Sequence, residues 1–195
     1  LDYIKTIHHG IDIKQFDFNP QQNDDTLLFF GRIHKDKGAR QAIEIARACN
    51  KKLILAGIIQ DRAYYDQYVA PHIDNDKVIY AGSVGPVERN RLLGKACALL
   101  HPIQFDEPFG LSVIESMACG TPVIAFDRGS MPELIENGKS GFLVNNVDEA
   151  IETVARIKEI DRAYCRRHVE RHFTVDRMIN EYIQVYEMIL ESERL

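Results

Sequence analysis

The sequence predicts an α/β domain of three layers, with helices on both faces of a mainly parallel sheet of about six strands. Three observations carry this. Short runs such as Thr26-Leu-Leu-Phe-Phe30 and Ala98-Leu-Leu-His101 have strand length and almost no polar face, so they belong to strands covered on both sides. Between such runs the apolar residues recur at helical spacing, as in Ala42, Ile43, Ile45, Ala46 and Cys49. The two patterns then alternate along the chain, the order that builds strand-helix-strand units.

Taken in order, residues 1–25 open with an alternating piece, Tyr3-Ile-Lys-Thr-Ile7, read as a first strand, and continue as a connector through Asn19-Pro20. His8 and His9 are neighbours in an extended segment and point to opposite faces, so they read as structural rather than as a metal pair. A strand over 26–30 stops at Gly31, and a helix over 42–49 follows. Next come a strand over 52–56, a helix over 62–69, a strand over 78–80, a helix over 87–97 and a strand over 98–101. Pro108 and Gly110 break the apolar run, and from Leu111 the residues Val113, Ile114, Met117 and Ala118 keep helical spacing until Gly120. A buried strand begins at Val123, then a short helix over 132–137, a strand over 141–144 and a helix over 147–160. The last third is helical and closes with a helix over 175–190 whose apolar residues are wider than one buried stripe.

Composition narrows the function classes. The chain has 195 residues, 45% hydrophobic and 27% charged, which is ordinary for one globular domain, and no apolar run is long enough to span a bilayer. A net charge of −5 argues against nucleic acid as the main partner. The four cysteines, Cys49, Cys97, Cys119 and Cys165, include no Cys-x-x-Cys pair and read as buried thiols of a reducing compartment. The chain starts at Leu1 without a methionine, which reads as part of something longer.

The chemistry concentrates at the ends of predicted strands, where a doubly wound sheet binds its ligands. Gly110 precedes a helix, so the first backbone amides of that helix are left uncovered and the helix dipole favours an anion there. After the strand over 26–30, Arg32, Lys35 and Lys37 make a basic loop in an otherwise acidic chain, which again implies an anion. Glu107 and Glu115 flank the helix start, and acids beside an anion site are suited to hydroxyl groups. The ligand so described has phosphates in its middle and hydroxyls on both sides. Taken alone, Ser112 and Glu115 also have the spacing of a capping box, which needs no ligand.

Glu107 and Glu115, separated by seven residues within Glu107-Pro-Phe-Gly-Leu-Ser-Val-Ile-Glu115-Ser-Met-Ala-Cys-Gly-Thr-Pro-Val-Ile-Ala125, resemble the two-glutamate motif of the retaining family 4 (group 1) glycosyltransferases of GT-B fold. The resemblance covers almost the whole chain and implies the C-terminal, Rossmann-like half of such an enzyme. It implies a connector with a first strand over 1–25, a nucleotide-sugar donor domain over 26–172, and a helix over 173–195 that packs toward a missing acceptor domain through an apolar patch along Met178, Tyr182, Val185 and Ile189. It places Glu107 by the donor sugar as the catalytic group, Glu115 on the ribose, and the Phe109-Gly110 turn with the amides of Gly110, Leu111 and Ser112 on the diphosphate. Arg32 and Lys37, after Gly31, grip the same diphosphate, and Ser83 and Val84 lie beside the base. His9 stands where an Asn is usual, and Gly57-Ile-Ile replaces an acidic turn, which puts base contacts from that loop in doubt.

The activity so implied is retaining transfer of a hexose from a UDP or GDP sugar to an unknown acceptor, with no metal and no cofactor. The chain alone would be incomplete, cytoplasmic, and tied to a membrane only through its parent protein. Two alternatives stay open: a nucleotide-sugar epimerase of the same architecture and a non-catalytic nucleotide-binding module.

Other motifs fail on inspection. Gly138-Lys-Ser140 lacks the upstream glycine of a phosphate loop, since Glu133 stands there. Asp74-Asn-Asp76 reads as turn chemistry rather than a metal clamp. His168 and His172 lie one helical turn apart, but Val169 occupies the place of a zinc-site base. Arg156, Lys158, Arg162, Arg166, Arg167, Arg171 and Arg177, interleaved with acids, read as a solvated, salt-bridged face.

Overall fold

Six strands, all parallel, form one sheet in the computed structural model of the protein, which describes residues 3–21 and 25–192. What the sequence reading assigned to 1–2, 22–24 and 193–195 lies outside the described residues. The strands are β1 (Thr26–Phe30), β2 (Lys52–Ala56), β3 (Val78–Gly82), β4 (Ala98–His101), β5 (Val123–Phe126) and β6 (Gly141–Val144). Their spatial order is β3-β2-β1-β4-β5-β6. Leu27, Leu28, Leu53, Leu55, Leu99 and Leu100 are fully buried, as strands covered on both faces require.

The helices are α1 (Ala39–Ala48), α2 (Arg62–Tyr68), α3 (Pro86–Lys95), α4 (Leu111–Ala118), α5 (Met131–Leu134), α6 (Val147–Val154), α7 (Arg162–His172) and α8 (Val175–Ser192). Crossovers step outward from β1 in one direction and from β4 in the other. That separates a layer in which α1 packs on α6 from one in which α4 packs on α3 and α7. The order of strands reverses between β1 and β4, so the loops leaving their carboxyl ends diverge and open a crevice.

Four expectations need correction. The alternating piece 3–7 is not a strand: Tyr3 and Ile4 are exposed, and the pairing of this region is a single bridge from Ile11 to Thr174. The helix over 147–160 stops at Val154, and a 3-10 turn at Ile157–Glu159 sets Ile157 and Ile160 in the core before Asp161 caps α7.

The basic face is not wholly solvated. Arg162 is buried, and its guanidinium donates to the carbonyls of Asn19 (2.9 Å), Ala96 (3.0 Å) and Gly94 (2.8 Å) and to Thr121 Oγ1 (2.7 Å). Arg166 donates to the carbonyls of Phe16 (2.7 Å) and Ala118 (2.9 Å). Gly94 and Ala96 close α3 and Ala118 closes α4, so both cations sit where helix carbonyls lack intrahelical partners. Through these bonds α7 fastens the connector to the domain.

The apolar face of α8 also lies elsewhere than expected. Met178, Val185 and Ile189 are half-buried, while Ile179, Tyr182, Ile183, Tyr186 and Leu190 are exposed. Lys5 Nζ of the N-terminal segment pairs with Glu181 (3.7 Å), which shares a side of the helix with Met178 and Val185.

Candidate functional site

The carboxyl ends of β1 and β4 and the start of α4 enclose a cleft of about 380 Å³. Its walls include Gly31, Arg32, Lys37, Glu107, Phe109, Gly110, Leu111, Ser112 and Glu115. Nine residues singled out from the sequence therefore meet in one place, although they come from two loops far apart in the chain. Ser83 and Val84 are not among the lining residues; they follow β3, at the sheet edge two strands from β1.

Local chemistry explains the geometry of each wall. After β1 the chain makes a 3-10 turn at Lys35–Lys37, capped by His34 Nδ1, which accepts from the Asp36 amide (3.3 Å). This turn brings Lys37 back over the cleft, with its ammonium 4.9 Å from the centre of the Phe105 ring. Arg32 Nη1 donates to Gln60 Oε1 (2.6 Å).

On the other side, Gly110 adopts φ of 105°, a left-handed conformation, and a Cβ there would lie 2.8 Å from Met131 Cε. It is the N-cap of α4 and supplies no side-chain cap, so Leu111 and Ser112 present the first turn of the helix to the cleft. Because the cap is Gly110, Ser112 already lies inside the helix and the capping box with Glu115 does not form. Glu115 instead meets Arg89 of α3, whose Nη1 stands 3.4 Å from its Oε1.

Glu107 is held by its backbone. Ser130 donates to its carbonyl (2.9 Å), and Gly129, at φ of 57°, comes so close that a Cβ would sit 2.4 Å from both the nitrogen and the oxygen of Glu107. The Glu107 carboxylate pairs with Lys37 Nζ. A flexible acid is thus fixed against a cation, both of them largely sheltered from solvent.

Several contributors escaped the sequence reading. Phe30 and Pro108 also line the cleft; Phe30 is simply the last residue of β1, a position that the strand-end rule could have named. His9 reaches the cleft with its ring 5.1 Å from that of Phe109, edge to face. Arg89 gave no signal, because a cation within a helix reads as solvated until its partner is known. His101, at the end of β4, is buried, and among the described residues its Nε2 has no hydrogen-bond partner. Burial, followed by the nearby charge of Lys37, pushes its pKa down to about 3, so the imidazole is neutral.

The other motifs lie outside the cleft. Asp74 Oδ1 accepts from the amides of Asp76 (3.0 Å), Lys77 (2.8 Å) and Val78 (2.8 Å), the turn expected of it. Ser140 Oγ accepts from the Glu136 amide (3.0 Å) within a turn. His168 and His172 lie 5.1 Å apart on α7 with their rings tilted by 50°, and His168 Nε2 is against the Leu134 carbonyl (2.9 Å). Among the described residues no group of three or more His, Cys, Asp or Glu could hold a metal ion. The cysteine thiols are free, and burial pushes Cys97 up to about 11 and Cys119 and Cys165 up to about 12. Among the described residues no helix is long and apolar enough to cross a membrane.

Comparison with known proteins bears on this cleft. The family described as glycosyl transferases group 1 matches residues 11–171. An uncharacterised glycosyltransferase of Methanocaldococcus jannaschii is 27% identical, over 97% of this chain and 55% of its own length. The crystal structure of AviGT4, a glycosyltransferase involved in avilamycin A biosynthesis, superposes with a TM-score of 0.82 at 28% identity, covering 98% of this chain and 60% of that one. HepE of Anabaena, solved in complex with UDP-glucose, has the same fold, with a TM-score of 0.82 at 21% identity over 94% of this chain and 57% of its own. The chain spans about half the length of the curated relatives it matches.

Proposed function

Because this chain belongs to the glycosyl transferases of group 1, we propose that it is the donor-binding half of a retaining, metal-independent hexosyltransferase that takes its sugar from a nucleoside diphosphate. One observation carries the reading: the side-chain-free start of α4, two cations and two acids converge on a single cleft at the switch point of the sheet. HepE, a protein of this fold, has been solved with UDP-glucose, which supports a nucleotide sugar as the ligand class.

In this reading the bond between the sugar's anomeric carbon and the diphosphate breaks, and the carbon bonds to an acceptor oxygen on the same face. Negative charge grows on the departing diphosphate. Arg32, Lys37 and the amides of Leu111 and Ser112 are placed to stabilise it, and preorganised donors of this kind supply the largest share of rate in many enzymes. Glu107, fixed by Ser130 and Gly129, orients the sugar and favours the positive charge that develops on its ring. Glu115 accepts hydrogen bonds from the ribose hydroxyls. Ser83 and Val84 remain proposed neighbours of the base, at the end of β3. The acceptor and the groups that bind it belong to a domain outside this chain.

A thermal-shift panel tests the reading. UDP, GDP, ADP and their glucose conjugates are added to the chain, with and without EDTA. One nucleoside diphosphate should raise the melting temperature, since a ligand at a hundred times its Kd stabilises by about 2.7 kcal/mol, and EDTA should leave the shift unchanged. No stabilisation by any of them at millimolar concentration would sink it.

A further inference from the structure

Arg89 does not line the cleft but meets one of its acids, Glu115. It leaves the first turn of α3 and lies beneath Glu115, with a side chain 20% exposed against 14% for the acid. Its guanidinium rests on the Phe16 ring at 4.6 Å, and its Nε is buried with no hydrogen-bond partner. Phe16 is itself buried, and its carbonyl is held by Arg166. The guanidinium is therefore located from one side by the connector and offers Nη1 to Glu115 from the other.

That placement has a chemical consequence. Burial pushes the Glu115 carboxyl up, and the charge of Arg89 pulls it back down. A protonated carboxyl would offer a donor where a ribose hydroxyl needs an acceptor. The contact engages one guanidinium nitrogen and one carboxylate oxygen, so it can hold the acid without spending both of its oxygens.

We infer that Arg89 is a positioning residue for Glu115: resting on Phe16, it keeps the carboxylate turned and charged to accept hydrogen bonds from the two ribose hydroxyls of the donor. The inference rests on the donor reading given above. Arg89 touches no ligand atom in it and acts only through the acid.

The test is a double-mutant cycle by calorimetric titration at neutral pH on the intact chain. The probes are UDP, GDP and ADP with their 2′,3′-dideoxy counterparts, using the base that binds wild type most tightly. Arg89→Leu should weaken the ribonucleotide on the order of tenfold and leave the dideoxynucleotide within about twofold, as expected for the loss of one charged hydrogen-bonding partner. Arg89→Lys should recover most of that affinity, because an ammonium can still reach the acid. In a Glu115→Gln background, Arg89→Leu should change ribonucleotide affinity by less than about twofold, since coupled residues are non-additive. Equal weakening of both probes by Arg89→Leu, or full additivity with Glu115→Gln, would overturn the inference while leaving the donor site intact. If Glu115→Gln itself failed to separate ribo from dideoxy nucleotide, the ribose role of Glu115 would fall, and the inference with it.

Discussion

Two regions of this molecule draw arginine side chains in from helices, and they treat them in opposite ways. At the clamp formed by α7, Arg162 gives every nitrogen of its guanidinium a neutral acceptor: three backbone carbonyls and one hydroxyl at 2.7–3.0 Å. Beside the cleft, and among the described residues, Arg89 has one hydrogen-bonding contact, at 3.4 Å, and a buried nitrogen with none. Arg32 is tied to one amide side chain. A buried cation is tolerable when its donors are all answered, and the clamp answers them with the orphan carbonyls of α3. Arg32 is exposed at the cleft with a single amide partner and stays available to a ligand, whereas Arg162 is committed to the fold.

The sharpest way to break the comparison is to remove one arginine from each region. Arg162→Leu takes a charged donor from the carbonyls of Asn19, Gly94 and Ala96, of which Gly94 keeps Asn19 Nδ2 and Ala96 keeps Thr121 Oγ1, and should cost about 3–5 kcal/mol of unfolding free energy in urea, enough to loosen the connector. Arg32→Ala should stay within about 0.5 kcal/mol of wild type in the same assay. Comparable losses would erase the distinction between a structural and a ligand-facing cation.

Acid should expose the next difference. The His101 imidazole has its pKa lowered from about 6.5 to about 3, so the unfolded chain takes up the proton first. Its contribution is complete above about pH 6.5 and is lost as the pH falls toward 3, which amounts to about 3 kcal/mol by pH 4. His101→Leu should flatten that part of the profile in urea unfolding at pH 7 and pH 4. An unchanged slope would mean that the imidazole is not held neutral.

A smaller effect concerns binding. Lys37→Ala should weaken a nucleoside diphosphate by about 1–3 kcal/mol and leave the bare nucleoside untouched, because a charged group is lost opposite the phosphates alone. Calorimetric titration of both ligands separates the two outcomes. Smallest of all, Tyr186→Ser on the exposed face of α8 should shift unfolding by no more than about 0.5 kcal/mol, unlike any change at the clamp.

What the sequence disclosed follows the range of its interactions. Strands such as Leu27–Phe30 announce themselves because burial on both faces leaves no polar residue to disguise them. The start of α4 was legible because glycine, amides and helix dipole lie within a few residues. The connector was not: its conformation depends on Arg162 reaching Asn19 across 143 residues and on Arg166 reaching Phe16 across 150. Arg89 was hidden for the same reason, since Glu115 lies 26 residues away on another helix. The half-buried side of α8 gave no local signal either, since the partner of its Glu181 is Lys5, from the far end of the chain.

The central claim is that one cleft, between the ends of β1 and β4, receives a nucleoside diphosphate. Backbone amide NMR spectra recorded while UDP, GDP or ADP is titrated into the isotopically labelled chain test it most directly. The account predicts that one of the three moves the amide signals of Gly31, Arg32, Leu111 and Ser112 first and furthest, with those of α7 unmoved. Movement centred on another surface, or none with any of the three at millimolar concentration, would contradict it.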